Sequence, residues 1–201
     1  MLKPKGAAAA VLVSLAILVS GAAAGASDVT EAVRATVDRV IEILNDPGLQ
    51  GPEHKAERRG RVMSLISERF DFEELSRRTL ARHWRKRTDA EKEEFVGLYT
   101  RFLQDFYMDR IEDNRRQKVV YTGETLRGKV AEVQTLVVTA KGLEVPINYR
   151  LKQGPDGWKV YDVVIEGVSL VRSYRTQFGE VIQKGSYEGL IKMLREKVEG
   201  D

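Results

Sequence analysis

The chain has 201 residues, with 33 Lys and Arg against 30 Asp and Glu, a formal net charge of +3 and no cysteine. The lack of cysteine excludes disulfides, thiolate chemistry and a lipid-modified N-terminal Cys. Near-balanced charge gives no footing for nucleic-acid binding, and the length suits one domain with a sizeable core.

Residues 1–26 read as an export signal. Lys3 and Lys5 precede an uncharged apolar run from Ala7 to Val19, and Ala22 to Ala26 offers small residues for cleavage after Ala24 or Ala26. An uncleaved anchor is the alternative, but the run is short for a bilayer span of about 20 residues. Cleavage removes Lys3 and Lys5, lowers the net charge to +1 and leaves residues 27–201 as a single domain, expected in the periplasm or outside the cell.

Helical spacing comes first. Val29, Val33, Val37, Val40, Ile41 and Leu44 form one stripe, opened by Asp28 and Glu31 as a capping box and ended by DPGLQGP at Asp46 to Pro52. A second helix is expected over Glu53 to Arg69, and a short one after the Asp71 cap. Thr88 and Glu91 form a stronger capping box. The helix they open carries Phe95, Leu98, Tyr99, Phe102 and Phe106 within one face.

After Gln117 the period becomes two. Four strands are expected near Lys118 to Thr122, Val130 to Ala140, Leu143 to Lys152 and Trp158 to Glu166, joined through Gly123 to Gly128, Lys141-Gly142 and Gly154 to Gly157. Two closing helices follow, Val171 to Lys184 and Tyr187 to Val198. The expected fold class is α+β, a four-stranded antiparallel sheet covered by N-terminal and C-terminal helices.

No catalytic constellation emerges. GETLRGK, Gly123 to Lys129, has the glycine and lysine spacing of a phosphate-binding loop, but Val130 follows where Ser or Thr is needed, and the next residues read as strand. His54 and His83 are the only histidines and lie outside any ligand-spaced pair. Ser169 sits in GVSLV without the second glycine of a nucleophile elbow. A basic cluster of Arg77, Arg78, Arg82 and Arg85, continued by Lys86 and Arg87, surrounds His83 and Trp84. It is either a solvated helix end or a docking patch for an anionic surface or partner.

Two long blocks, Phe70 to Tyr107 and Val160 to Lys197, together with the strands between them, carry F-D-F, L-x-x-x-W-R, W-K-V-Y-D-V, E-G-V-S-L-V and Y-R-x-Q-F in that order. In these motifs the chain resembles the MlaC, or toluene-tolerance, family of periplasmic phospholipid carriers. Ala81 departs from the pattern, standing where many relatives have glycine. The resemblance implies a monomeric, non-enzymatic carrier with no cofactor or metal, whose bound ligand is a glycerophospholipid. Its implied partners are an inner-membrane ABC transporter complex with an MCE ring and an outer-membrane lipoprotein complex, and its implied role is to maintain outer-membrane lipid asymmetry. A hopanoid-associated branch keeps the same motifs, which leaves the lipid open, and a non-carrier adaptor is the alternative from another class.

A carrier of this kind requires an elongated apolar cavity. Phe95, Leu98, Phe102 and Phe106 are expected along one wall and Val137, Ile147, Tyr149, Val163 and Ile165 along the sheet wall. Val168, Leu170 and Phe178 would extend that wall, with Tyr174 and Arg175 near the mouth. Arg175 either meets the lipid phosphate through its two-pronged guanidinium or ties the last helices to the sheet through Asp162 or another acid.

Overall fold

Helices, then strands, then helices again follow the change of period near Gln117. The computed structural model describes residues 27–113, 115, 117–140 and 142–200, so the export signal lies outside the described residues. The helices are α1 (Asp28–Asn45), α2 (Lys55–Arg69), α3 (Phe72–Leu80) and α4 (Asp89–Asp113), then, after the sheet, α5 (Leu170–Lys184) and α6 (Tyr187–Glu199). The strands are β1 (Lys118–Arg127), β2 (Val130–Val138), β3 (Glu144–Gly154), β4 (Gly157–Ile165) and β5 (Val168–Ser169). Short 3-10 turns cover Pro47–Leu49 and Ala81–Lys86. Among the described residues no helix is long and apolar enough to cross a membrane.

Most helix starts follow the sequence signals. Asp71 accepts a hydrogen bond from the Glu74 amide at 2.8 Å, and Thr88 and Glu91 exchange the two bonds of a capping box at 2.7 and 3.2 Å. The start of α1 differs, because Ser27 occupies the N-cap and its hydroxyl donates across the fold to Glu124. The Asp28/Glu31 box is therefore not used. At the other end of the chain Ser169 and Ser186 cap α5 and α6 by accepting from the Arg172 and Gly189 amides.

The sheet has five strands in the order β1-β2-β3-β4-β5, all antiparallel, rather than the four expected. The fifth is only Val168 and Ser169, too short to register as a periodicity. It exists because Glu166 and Gly167 both adopt positive φ, 50° and 81°, and so turn the chain back in two residues. The first strand is also longer than expected. A bulge between Tyr121 and Gly123 lets pairing resume through Arg127, and the connection shrinks to Gly128-Lys129. GETLRGK is thus a strand end and a tight turn, with Gly128 at φ 58°.

Three apolar clusters support the fold. One is wholly helical and joins Leu75, Leu80, Phe95, Tyr99, Phe178 and Leu190 from α3, α4, α5 and α6. The second lies between α1 and the sheet, around Val29, Val33, Val133, Leu151 and Val160. The third holds α1, α2 and α4 together through Leu44, Val62 and Met108. Beside it the buried Arg58 guanidinium donates to Glu112 at 2.7 and 3.0 Å and to the Leu49 carbonyl at 2.6 Å, which locks α2 onto α4. Burial opposes ionisation of Glu112, but its bonds to Arg59 and Arg58 outweigh that and hold the carboxyl below its ordinary range.

Ala81, the departure noted in the sequence, closes α3 at φ 50° and ψ −116°, a conformation that glycine adopts freely and a Cβ resists. Such strain costs on the order of 1 kcal/mol or more. Ala81→Gly is expected to stabilise the protein by about 1 kcal/mol and raise the melting temperature by roughly 2–4 °C. Thermal denaturation followed by circular dichroism checks this, and a lower melting temperature would contradict it.

Candidate functional site

The register gathers the site on the sheet. Tyr121, Thr135, Ile147, Ile165 and Val168 pair successively and form one row across all five strands. On one side of it runs Glu124, Val133, Tyr149 and Val163, and on the other Val119, Val137 and Val145. Alternate residues share a face, so these three rows point the same way, toward α1. Val137, Ile147, Tyr149, Val163, Ile165 and Val168, expected along one wall, are thereby brought onto one sheet surface.

Burial along that surface is graded. Val133 and Leu151 have no exposed surface, whereas Ile147, Tyr149 and Ile165 are partly exposed and Val168 is 58% exposed. Tyr149 carries the sharper signal. Burial pushes its hydroxyl up to about 12, although the side chain retains accessible surface. Nearby, the Tyr121 hydroxyl is buried without a hydrogen-bond partner, and its ring lies under the Arg34 guanidinium at 4.0 Å. Burial, then the neighbouring Tyr149, push the Tyr121 hydroxyl well above its ordinary range.

The helical wall is a ladder of aromatic rings. Phe95, Tyr99 and Phe178 pack at 5.1–6.0 Å between centroids in the interior. Phe102 and Tyr174 meet edge to face at 5.7 Å, and Phe106 stacks on Phe102 at 6.1 Å. Exposure grows along α4, from 0% at Phe95 to 44% at Phe106. There the Arg110 guanidinium lies 4.1 Å over the Phe106 ring, beside Tyr107. Tyr99 and Thr79 bury facing hydroxyls that stay outside hydrogen-bond geometry.

These rings and the sheet rows occupy two adjoining clusters. Phe95, Leu98, Phe102, Tyr174 and Phe178 belong to the helical one, while Ile147, Tyr149, Val163 and Ile165 belong to the one under α1. Phe70 and Leu170 pack against both and form the seam. Tyr121 and Phe70 were not singled out by sequence reasoning. Tyr121 alternates correctly in VVYT, but only the strand register places it in one row with Ile147.

Arg175 is exposed, and its Nε donates to the Arg78 backbone carbonyl at 2.9 Å, tying α5 to α3. Asp162 performs the tie to the sheet instead. Only 3% exposed, it accepts from the Val171 amide at 3.0 Å, the Ser169 hydroxyl at 2.7 Å and Arg150 at 3.1 Å. Ser169 is therefore a helix cap held by a carboxylate. Arg77 and Arg78 both pair with the buried Glu74, at 2.7 and 2.8 Å, and Arg78 stacks on Tyr161 at 4.0 Å. Arg82 and Arg85 are exposed. Among the described residues no group of acids and histidines could hold a metal ion.

The family model for the MlaC protein matches residues 34–196. The chain belongs to the MlaC family. It is 29% identical over 101 residues to the toluene tolerance protein ttg2D of Pseudomonas putida, covering 50% of this chain and 47% of that protein, so the match spans about half the relative's length. Among solved structures it is similar to the phospholipid-binding protein from Ralstonia solanacearum in complex with a phospholipid. That likeness has a TM-score of 0.75 and 27% identity over 87% of this chain and 98% of the other. MlaC membership thus agrees with the α+β architecture and with the order of motifs from Phe70 to Phe178.

Proposed function

We propose that this protein is a periplasmic phospholipid carrier, exported by cleavage after Ala24 or Ala26, that moves lipid between an inner-membrane MCE/ABC transporter complex and an outer-membrane lipoprotein complex. One observation carries the reading. A protein alike in fold over nearly its whole length was captured with a phospholipid, and this chain offers rows of apolar side chains on the matching kind of sheet.

The energetics fit the role. A diacyl lipid holds roughly 30 methylenes, and at ~0.8 kcal/mol each, water exposure costs on the order of 20 kcal/mol. Crossing an aqueous gap alone is negligibly slow. In the proposed arrangement the tails lie on the row from Tyr121 to Val168, between α1 and the Phe102–Tyr174 tier, and part the seam at Phe70 and Leu170. A lipid ester carbonyl would satisfy the buried Tyr121 hydroxyl. The head stays wet beside Phe106, Arg110 and Val168. Tail burial dominates affinity in this scheme, so head-group selectivity is loose. No step needs a nucleophile, a metal or a cofactor, and ATP use falls to the transporter.

The test is direct. The mature protein, purified without detergent and extracted with organic solvent, is expected to yield about one glycerophospholipid per chain by mass spectrometry. Lipid-free protein that also fails to take up phospholipid from vesicles would overturn the carrier reading and favour an adaptor. A hopanoid in the extract would keep the carrier and correct its cargo.

A further inference from the structure

The far end of the sheet carries a feature that cargo binding does not use. Strands β1 and β2 meet at Gly128-Lys129, and the tip reads Leu126-Arg127-Gly128-Lys129-Val130. Leu126 is 55% exposed and Val130 39%, on a turn where neither contributes to any of the three apolar clusters. Among the described residues Arg127 and Lys129 form no ion pair. Two large apolar side chains interleaved with two cations on an exposed hairpin turn match the interfacial layer of an anionic bilayer. There the apolar groups enter the acyl boundary and the cations meet phosphates.

The same end of the sheet is tied to the start of the domain. Ser27, where residues 1–26 join the fold, is held to Glu124 on β1 through its hydroxyl, as is Thr30. Glu124 lies two positions from Leu126 and on the same sheet face.

We propose that the β1–β2 hairpin tip, Leu126 to Val130, is a membrane-contact site that partitions reversibly into the interface of bilayers rich in anionic lipid. Leu126 and Val130 supply the insertion, and Arg127 and Lys129 the attraction to phosphate. The contact would hold the carrier at a bilayer without engaging the cargo rows, which reach solvent at the other end of the strands, near Val168.

Vesicle flotation tests the site on the mature protein, with phosphatidylglycerol-containing and pure phosphatidylcholine vesicles compared at low and high salt. The wild type is expected to float with anionic vesicles at low salt and to be released by salt. Arg127→Gln with Lys129→Gln should weaken partition about thirtyfold, since each cation near an anionic surface is worth roughly a fivefold change. Leu126→Ser with Val130→Ser should weaken it on its own, including at high salt. Both pairs are surface changes, so co-purified lipid and melting temperature should stay as in the wild type. Failure of the wild type to float, or equal flotation of wild type and both variants, would overturn the proposal and leave the cargo reading untouched. Salt-sensitive loss in the cation variant with none in the apolar one would also overturn it, pointing to an acidic polypeptide as the occupant.

Discussion

Asp162→Ala is expected to lower stability by about 3–4 kcal/mol and to loosen α5 from the sheet before the rest of the fold gives way. The carboxylate is buried and accepts from three donors: the Val171 amide, the Ser169 hydroxyl and Arg150. Truncation leaves those donors facing one another, and each buried unsatisfied group costs on the order of 1–3 kcal/mol. Part of the Arg150 term is recovered, because Arg150 is partly exposed and keeps Glu132 at 2.9 Å. Chemical denaturation gives the free-energy change, and amide exchange at Val171 and Arg172 locates it. A loss below about 1 kcal/mol, with those amides still protected, would show that α5 is held by its apolar face alone. Asp162→Asn is the informative companion, since an amide keeps one acceptor and should lose roughly half as much.

A bulky side chain on the proposed sheet row should nearly abolish lipid carriage while sparing the fold. Ile147 is the position to fill. It lies mid-row between Thr135 and Ile165 and is partly exposed, so an indole there would cover the row without displacing a fully buried side chain. Ile147→Trp is expected to reduce co-purified phospholipid at least fivefold, with a melting temperature within a few degrees of the wild type. Val163→Trp should block binding too, but Val163 is only 9% exposed and packed under α1. Overpacking there costs typically 1–3 kcal/mol. Unchanged lipid occupancy in a folded Ile147→Trp variant would remove the sheet row from the binding site. Lipid mass spectrometry alongside thermal denaturation separates the two outcomes.

The elements that announce themselves by period or cap were legible in the chain. Thr88 and Glu91 mark the start of α4, Asp71 marks α3, and the alternation from Val145 to Leu151 marks β3. What escaped depends on single backbone angles or on register. Glu166-Gly167 creates β5 through two positive φ values, and the bulge at Tyr121/Gly123 lengthens β1 through a segment rich in turn residues. The site divided along the same line. Alternation put Ile147 and Tyr149 on one face, but nothing local ties Tyr121 to Val168. Helical spacing put Phe95 to Phe106 on one stripe, yet it could not say that the stripe packs on α5 and α6, with Phe70 and Leu170 bridging to the sheet. Arg175 failed to reveal its direction for the same reason, because its partner is a backbone carbonyl at Arg78, distant in sequence and invisible to charge pairing.

The strand order follows the chain order without a crossover. Each strand therefore finds its neighbour in the segment just before it, and loop closure stays short at every step. For a polypeptide folding from its N-terminus outward, the sheet can zip up strand by strand, with one growing margin to shield from self-association. Rapid assembly is thus written into the meander.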